Sequence, residues 1–137
     1  MNTHLFEQVE QLAKKMMAAA EANDETLFYQ DYETLKQLCV DQVGTRNEHP
    51  VLWESLADFT EDNSTAIALY QRAYDSAKAL KETEYKASIQ FSLAQRLLEQ
   101  GEKDEAKLAL DKAVKFASYT DDDQLKLEIS EMVNSLS

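Results

Sequence analysis

The chain has 137 residues, a length that suits one domain with a sizeable core. It contains only 2 glycines and 1 proline, so long helices joined by short turns are the simplest arrangement, and we expect an all-α protein. The formal net charge of -12 disfavours nucleic acid and acidic membranes as partners, because their phosphate groups would be repelled. The only cysteine, Cys39, allows no internal disulfide, and the polar first residues do not resemble a secretory signal, so we expect a cytoplasmic protein.

The first segment, residues 3–43, predicts a helical hairpin. Asn2 or Thr3 is a suitable N-cap for its first helix, which has an apolar stripe at three- and four-residue spacing: Leu5, Val9, Leu12, Ala13, Met16 and Ala20. Asp24 can cap a second helix that runs to about residue 43. The inner positions that we expect in this second helix are Phe28, Tyr32, Leu35 and Cys39.

Residues 50–80 predict a second hairpin, which follows the longest turn-like stretch of the chain. Pro50 favours a helix start, and Trp53, Leu56 and Ala57 form the apolar side of a short helix. The acidic and polar residues 61–64 supply caps for the next helix. Its inward positions are predicted to be Ala66, Tyr70, Ala73 and Ala77.

Residues 84–118 predict a third hairpin, and residues 123–136 a capping helix with one polar face. Gly101 separates the two helices of the hairpin and is suited to a left-handed, helix-ending conformation. The predicted apolar positions of the hairpin are Ile89, Leu93, Ala94, Leu97, Leu98, Ala106, Leu110, Ala113, Val114 and Ala117. Those of the capping helix are Leu125, Ile129, Met132, Val133 and Leu136.

One pattern of large and small residues recurs in this third hairpin. It consists of a large–small pair, a bulky residue, a turn glycine, an alanine, a bulky residue and a second alanine, here Leu93-Ala94, Leu97, Gly101, Ala106, Leu110 and Ala113. In this pattern the chain resembles the tetratricopeptide repeat (TPR) family, although Gln90 stands where an aromatic residue is usual. Matching positions in the second and third hairpins are offset by 40 residues, which resembles the long-helix subclass of that family.

The resemblance implies a single domain over residues 1–137, with antiparallel hairpins stacked as a right-handed superhelix of about seven helices. It also implies a concave groove that binds a protein or peptide, without catalysis. The groove positions carried over from the family are Glu7, Glu10, Gln11, Lys14, Glu54, Ser55, Asp58, Ser88, Phe91, Ser92, Gln95, Glu99, Glu128 and Glu131.

This predicted groove is acidic, since Lys14 is its only basic residue, so we expect a basic partner segment. An adaptor, a secretion chaperone or an immunity protein against a basic toxin would fit. The alternative is a sensor of a small molecule or signal peptide, or a regulatory domain. A monomer is expected, or a weak homodimer through exposed Leu127 and its neighbours.

Other residues that could carry chemistry have simpler structural explanations. His4 and His49 are 45 residues apart and have no metal-ligand spacing, and three aspartates at 121–123 suit a capped helix start. We therefore expect no metal, no cofactor and no enzymatic activity. Cys39 and Trp53 are expected in the core, whereas Phe91 could line the groove or be buried under a neighbouring helix.

Overall fold

The computed structural model describes residues 3–81 and 83–136. These residues form seven α-helices and no strand: α1 (Thr3–Glu21), α2 (Glu25–Asp41), α3 (Pro50–Asp58), α4 (Asn63–Leu80), α5 (Thr83–Glu99), α6 (Lys103–Ala117) and α7 (Asp123–Leu136). The predicted all-α fold class is confirmed.

Three helices begin with an aspartate cap, as the sequence predicts. The Asp24 side chain accepts a hydrogen bond from the backbone N–H of Leu27 at 3.1 Å, and the Asp62 side chain accepts one from Thr65 at 2.9 Å. At α7 the backbone N–H of Leu125 donates to Asp122 at 3.0 Å. Each bond satisfies an N–H group that has no partner within the helix. The first helix already begins at Thr3, and the other candidate cap, Asn2, lies outside the described residues.

The hairpins α1–α2 and α5–α6 turn through the same backbone motif. Gly101 has a φ of 81°, and the N–H of Glu102 reaches back to the carbonyl of Leu97 at 2.9 Å. At the end of α1 the corresponding left-handed residue is Asn23, with a φ of 56°. Both motifs satisfy carbonyl groups at the helix end. The predicted role of Gly101 is confirmed.

Alanines allow the helices to approach one another closely. Ala73, Ala94, Ala106 and Ala113 are all fully buried, as expected, and the most extensive helix contact is between α5 and α6. Each helix contacts the next one in the chain, while α3 also contacts α1 and α5. The result is a stack of hairpins in which α1, α3 and α5 lie in order on one side.

The two candidate residues of the core behave as expected. Trp53 exposes only 6% of its surface, and the Arg72 guanidinium lies 4.7 Å from the centre of its ring. Cys39 is fully buried, and its thiol donates to the carbonyl oxygen of Leu52 at 3.3 Å. Burial raises the pKa of this thiol to about 12, so it stays protonated and unreactive at neutral pH.

Some predicted inward positions are wrong. Ala20 is exposed and Ala19 is buried in its place, because the core face of α1 lies one residue earlier at this end of the helix. Phe28 and Tyr32 do face inward, since they pack against the core, but each is only partly buried. Val114 and Val133 expose 46% and 38% of their surfaces, although the helical spacing places both on apolar stripes.

Candidate interaction groove

The predicted groove residues lie on α1, α3, α5 and α7 and differ in exposure. The exposed ones are Glu7, Glu10, Gln11, Lys14, Asp58, Gln95, Glu99 and Glu131. The partly buried ones are Glu54, Ser55, Ser88, Ser92 and Glu128. Because the second group is partly buried, its polar side chains lie close enough to neighbouring helices to form hydrogen bonds within the protein.

Phe91 belongs to neither group, because it exposes only 7% of its surface. Of the two alternatives that the sequence leaves open, burial is the one found. Phe91 cannot act as an exposed apolar anchor for a partner without a rearrangement of α5. It is better described as a core residue of the stack.

A row of polar side chains on α5 crosses to α3 and to the start of α4. We call it the polar seam; it consists of Ser88, Ser92 and Arg96, which are four residues apart on one face of α5, and of Gln100, four residues further on and just past the end of the helix. Such a row replaces apolar packing with hydrogen bonds between neighbouring hairpins.

The first half of the polar seam binds carboxylates of α3. The Ser88 hydroxyl donates to Glu54 at 2.6 Å. The Tyr70 hydroxyl of α4 donates to Asp58 in a short hydrogen bond, and Ser92 also hydrogen-bonds to Tyr70. Two of the predicted groove carboxylates are thus bound within the structure itself.

The second half of the polar seam closes the turn between α3 and α4. Arg96 donates to the carbonyl oxygens of Ala57 and Glu61, each at 3.3 Å, and to the side-chain oxygen of Asn63 at 3.1 Å. Gln100 donates to the Ser64 hydroxyl at 2.7 Å. These bonds connect the end of α5 to the last turn of α3, the turn that follows it and the start of α4.

The electrostatics of this region are unusual for an acidic surface. The pKa of Glu54 is raised from 4.5 to about 7, mainly by burial and to a smaller extent by the nearby Asp58 carboxylate, while the hydrogen bond from Ser88 opposes the shift. Crowding by protein also raises the pKa of Asp58, although the residue keeps an exposed edge; Tyr70 and Arg96 oppose that rise. Two adjacent carboxyl groups therefore have costly ionised forms.

The acidic positions on α1 and α7 have no bond to this region. Among residues 3–81 and 83–136, no hydrogen bond or ion pair connects Glu7, Glu10 or Glu131 to the polar seam. Glu128 accepts a hydrogen bond from Gln124 at 3.1 Å within its own helix. The structure thus brings together Glu54, Asp58, Ser88 and Ser92, and leaves Glu7, Glu10, Glu99 and Glu131 exposed.

Sequence reasoning missed Arg96, Gln100 and the hydroxyl of Tyr70 as parts of this surface. Ser88 and Ser92 were recognised, and continuing their four-residue spacing along α5 leads directly to Arg96 and Gln100. The spacing that identifies Arg96 and Gln100 was therefore present in the sequence. The hydrogen bond between Tyr70 and Asp58 could not be predicted in this way, because it depends on how α3 and α4 pack against each other.

The described part of the chain was also searched for a metal site and for a membrane-spanning helix. No group of three or more histidine, cysteine, aspartate or glutamate side chains in it could hold a metal ion. None of its helices is long and apolar enough to cross a membrane. A surface cleft of about 370 Å³ lies between α6 and α7.

The fold and this surface define an all-α helical-repeat protein with a polar contact between neighbouring hairpins. A family model described as a domain of unknown function (DUF7017) matches residues 26–135, about four fifths of the chain. The chain belongs to this family. No curated protein and no solved structure matches it.

Proposed function

We propose that this protein is a non-catalytic interaction module of the tetratricopeptide type that binds a basic segment of a partner protein. The partner segment would lie across the faces of α1, α3, α5 and α7. A role as adaptor, secretion chaperone or immunity protein against a basic toxin would use such a surface in the same way.

The observation that carries the proposal is the pair Glu54 and Asp58 on adjacent turns of α3. Burial raises the pKa of each, so the ionised forms of both carboxyl groups are destabilised in the free protein. No ion pair involving Glu54 or Asp58 occurs in the described residues. A lysine or arginine of a partner that reached this point would be stabilised by both carboxylates.

Exposed carboxylates on the neighbouring helices would also attract a basic segment. Glu7 and Glu10 on α1, Glu99 on α5 and Glu131 on α7 are all exposed. Their field would steer a basic segment toward the groove, increasing mainly its rate of association.

The experiment compares two variants that differ only in where the charge is reversed. The groove variant changes Glu7, Glu10, Glu99 and Glu131 to Lys. The control variant changes four other exposed carboxylates, on the even-numbered helices, to Lys: Glu33, Asp75, Glu105 and Asp111. Both change the net charge equally and leave Glu54, Asp58 and the core untouched.

Affinity capture from the native cell, followed by mass spectrometry, should recover a basic protein with the wild type and the control but not with the groove variant. With that partner purified, raising salt from about 0.1 M to about 1 M should slow its association, because the screening length falls from about 10 Å to about 3 Å. Equal binding by both variants, or recovery of acidic partners only, would place the functional surface elsewhere.

A further inference from the structure

The last two helices, α6 and α7, repeat the geometry of α4 and α5. The helices α4 and α6 begin at residues 63 and 103, and α5 and α7 begin at residues 83 and 123, so both pairs differ by 40. The buried positions follow the same offset, since Ile89 and Ile129 are both buried. A surface on the second pair can therefore be compared, residue by residue, with its counterpart on the first.

On the first pair, the surface formed by α4 and α5 is covered by α6. Tyr74 of α4 and Phe116 of α6 have ring centres 6.1 Å apart, and the Lys86 ammonium of α5 lies 5.5 Å from the centre of the Phe116 ring. Gln90 and Leu93 of α5 are buried in the same region, exposing 3% and 7% of their surfaces. A helix thus fills this position in the middle of the stack.

On the second pair, the equivalent surface is an open cleft. It is lined by Val114, Lys126, Ser130 and Val133, the counterparts of Tyr74, Lys86, Gln90 and Leu93. Ser130 is exposed, and Val133 exposes 38% of its surface where Leu93 exposes 7%. The apolar lining is explained if a further helix covers it, because stacked helical repeats bury their apolar faces against the next repeat.

We propose that this cleft, defined by Val114, Lys126, Ser130 and Val133, binds an amphipathic α-helix of another protein in the position that α6 occupies on α4 and α5. The cleft is separate from the acidic groove and does not depend on the function proposed for it.

The chemistry of the occupant follows from the comparison. The only charged residue lining the cleft is Lys126, in a chain with a net charge of -12, so an aromatic ring or a carboxylate of the helix would suit this position. Three of the lining residues are smaller than their counterparts, with Val for Tyr, Ser for Gln and Val for Leu, whereas Asn134 is larger than Ala94. The occupant should therefore have larger apolar side chains where α6 has alanines such as Ala109 and Ala113.

The probe is a synthetic peptide of residues 102–118 with Ala109→Leu, labelled at its N-terminus. A scrambled peptide of the same composition is the control for non-specific binding. The protein variants are Val133→Asp, which places a charge in the cleft, and Leu127→Asp, which changes a more exposed apolar residue of α7 that does not line it. Circular dichroism checks that both variants keep their helical content.

Fluorescence anisotropy should show one peptide bound per protein, with a gain in peptide helicity. Val133→Asp should weaken binding by at least about tenfold, whereas Leu127→Asp should change it by less than about threefold. Binding too weak to detect at about 1 mM, equal binding of the scrambled peptide, or equal losses in both variants would overturn the proposal. So would light scattering that shows a wild-type dimer which Val133→Asp converts to a monomer, because the occupant would then be a second copy.

Discussion

The Glu54 carboxyl group is held between α3 and α5, where burial makes its ionised form costly. Its position on α3 was predictable from the repeat pattern, because this pattern fixes which face each helical residue occupies. Its contact with Ser88 was not, since the two residues are 34 positions apart and the contact depends on how closely the hairpins approach. For Phe91, likewise, the sequence predicted the face of α5 on which it lies but not that neighbouring residues bury it.

Replacing Glu54 with Gln should alter how stability depends on pH. The folded-state pKa is raised from 4.5 to about 7, so the contribution of Glu54 to stability is greatest below about pH 4.5 and is lost as pH rises toward 7. Glutamine is uncharged at every pH and can still accept the Ser88 hydrogen bond. The variant should therefore gain about 1–3 kcal/mol in unfolding free energy relative to wild type between about pH 4.5 and about pH 8.

Urea unfolding at the two pH values measures this gain. Exposed Glu131 is the matched control, and Glu131→Gln should show a much smaller change. If the difference in unfolding free energy between wild type and the Glu54→Gln variant is the same at both pH values, the pKa of Glu54 is not raised in the folded protein.

At the scale of helices, the sequence predicted the existence of all seven, the aspartate caps of α2, α4 and α7, and the turn at Gly101, because apolar periodicity, aspartates before helices and a turn glycine are local signals. The His49 cap of α3 was not predicted. The sequence predicted less well which face of each helix is buried. Val114 and Val133 fit an apolar stripe yet are largely exposed, because they face the cleft between α6 and α7 instead of another helix. Periodicity identifies an apolar face but not the partner that covers it.

The close approach of α6 to its neighbours depends on Ala106, which is fully buried. Substitution of Ala106 by Leu should lower the unfolding free energy by about 1–3 kcal/mol, because the added carbons have no space without movement of a helix. The control is Ala68→Leu, which adds the same group at an exposed position of α4. Thermal melting compares the two, and equal melting temperatures would contradict the packing at this crossing.

At the scale of the whole molecule, the stack should be less stable at its C-terminal end than in its middle. The helix α5 buries seven residues and contacts both α4 and α6, whereas α7 buries only Ile129 and packs mainly on α6. In a stack, each repeat is stabilised by its immediate neighbours, so a terminal helix that has one neighbour opens more readily than a central helix that has two.

Hydrogen exchange can test this with two residues that occupy equivalent positions. Ile89 in α5 and Ile129 in α7 are 40 residues apart, and both are buried, so local burial does not distinguish them. The amide of Ile129 should nevertheless exchange faster, with an opening free energy lower by at least about 1 kcal/mol, because α7 can separate while α1 to α6 stay folded. Equal protection at the two positions would mean that the stack opens as one unit. Binding of the cleft peptide should slow exchange at Ile129 more than at Ile89, since the peptide would supply the second neighbour that α7 lacks.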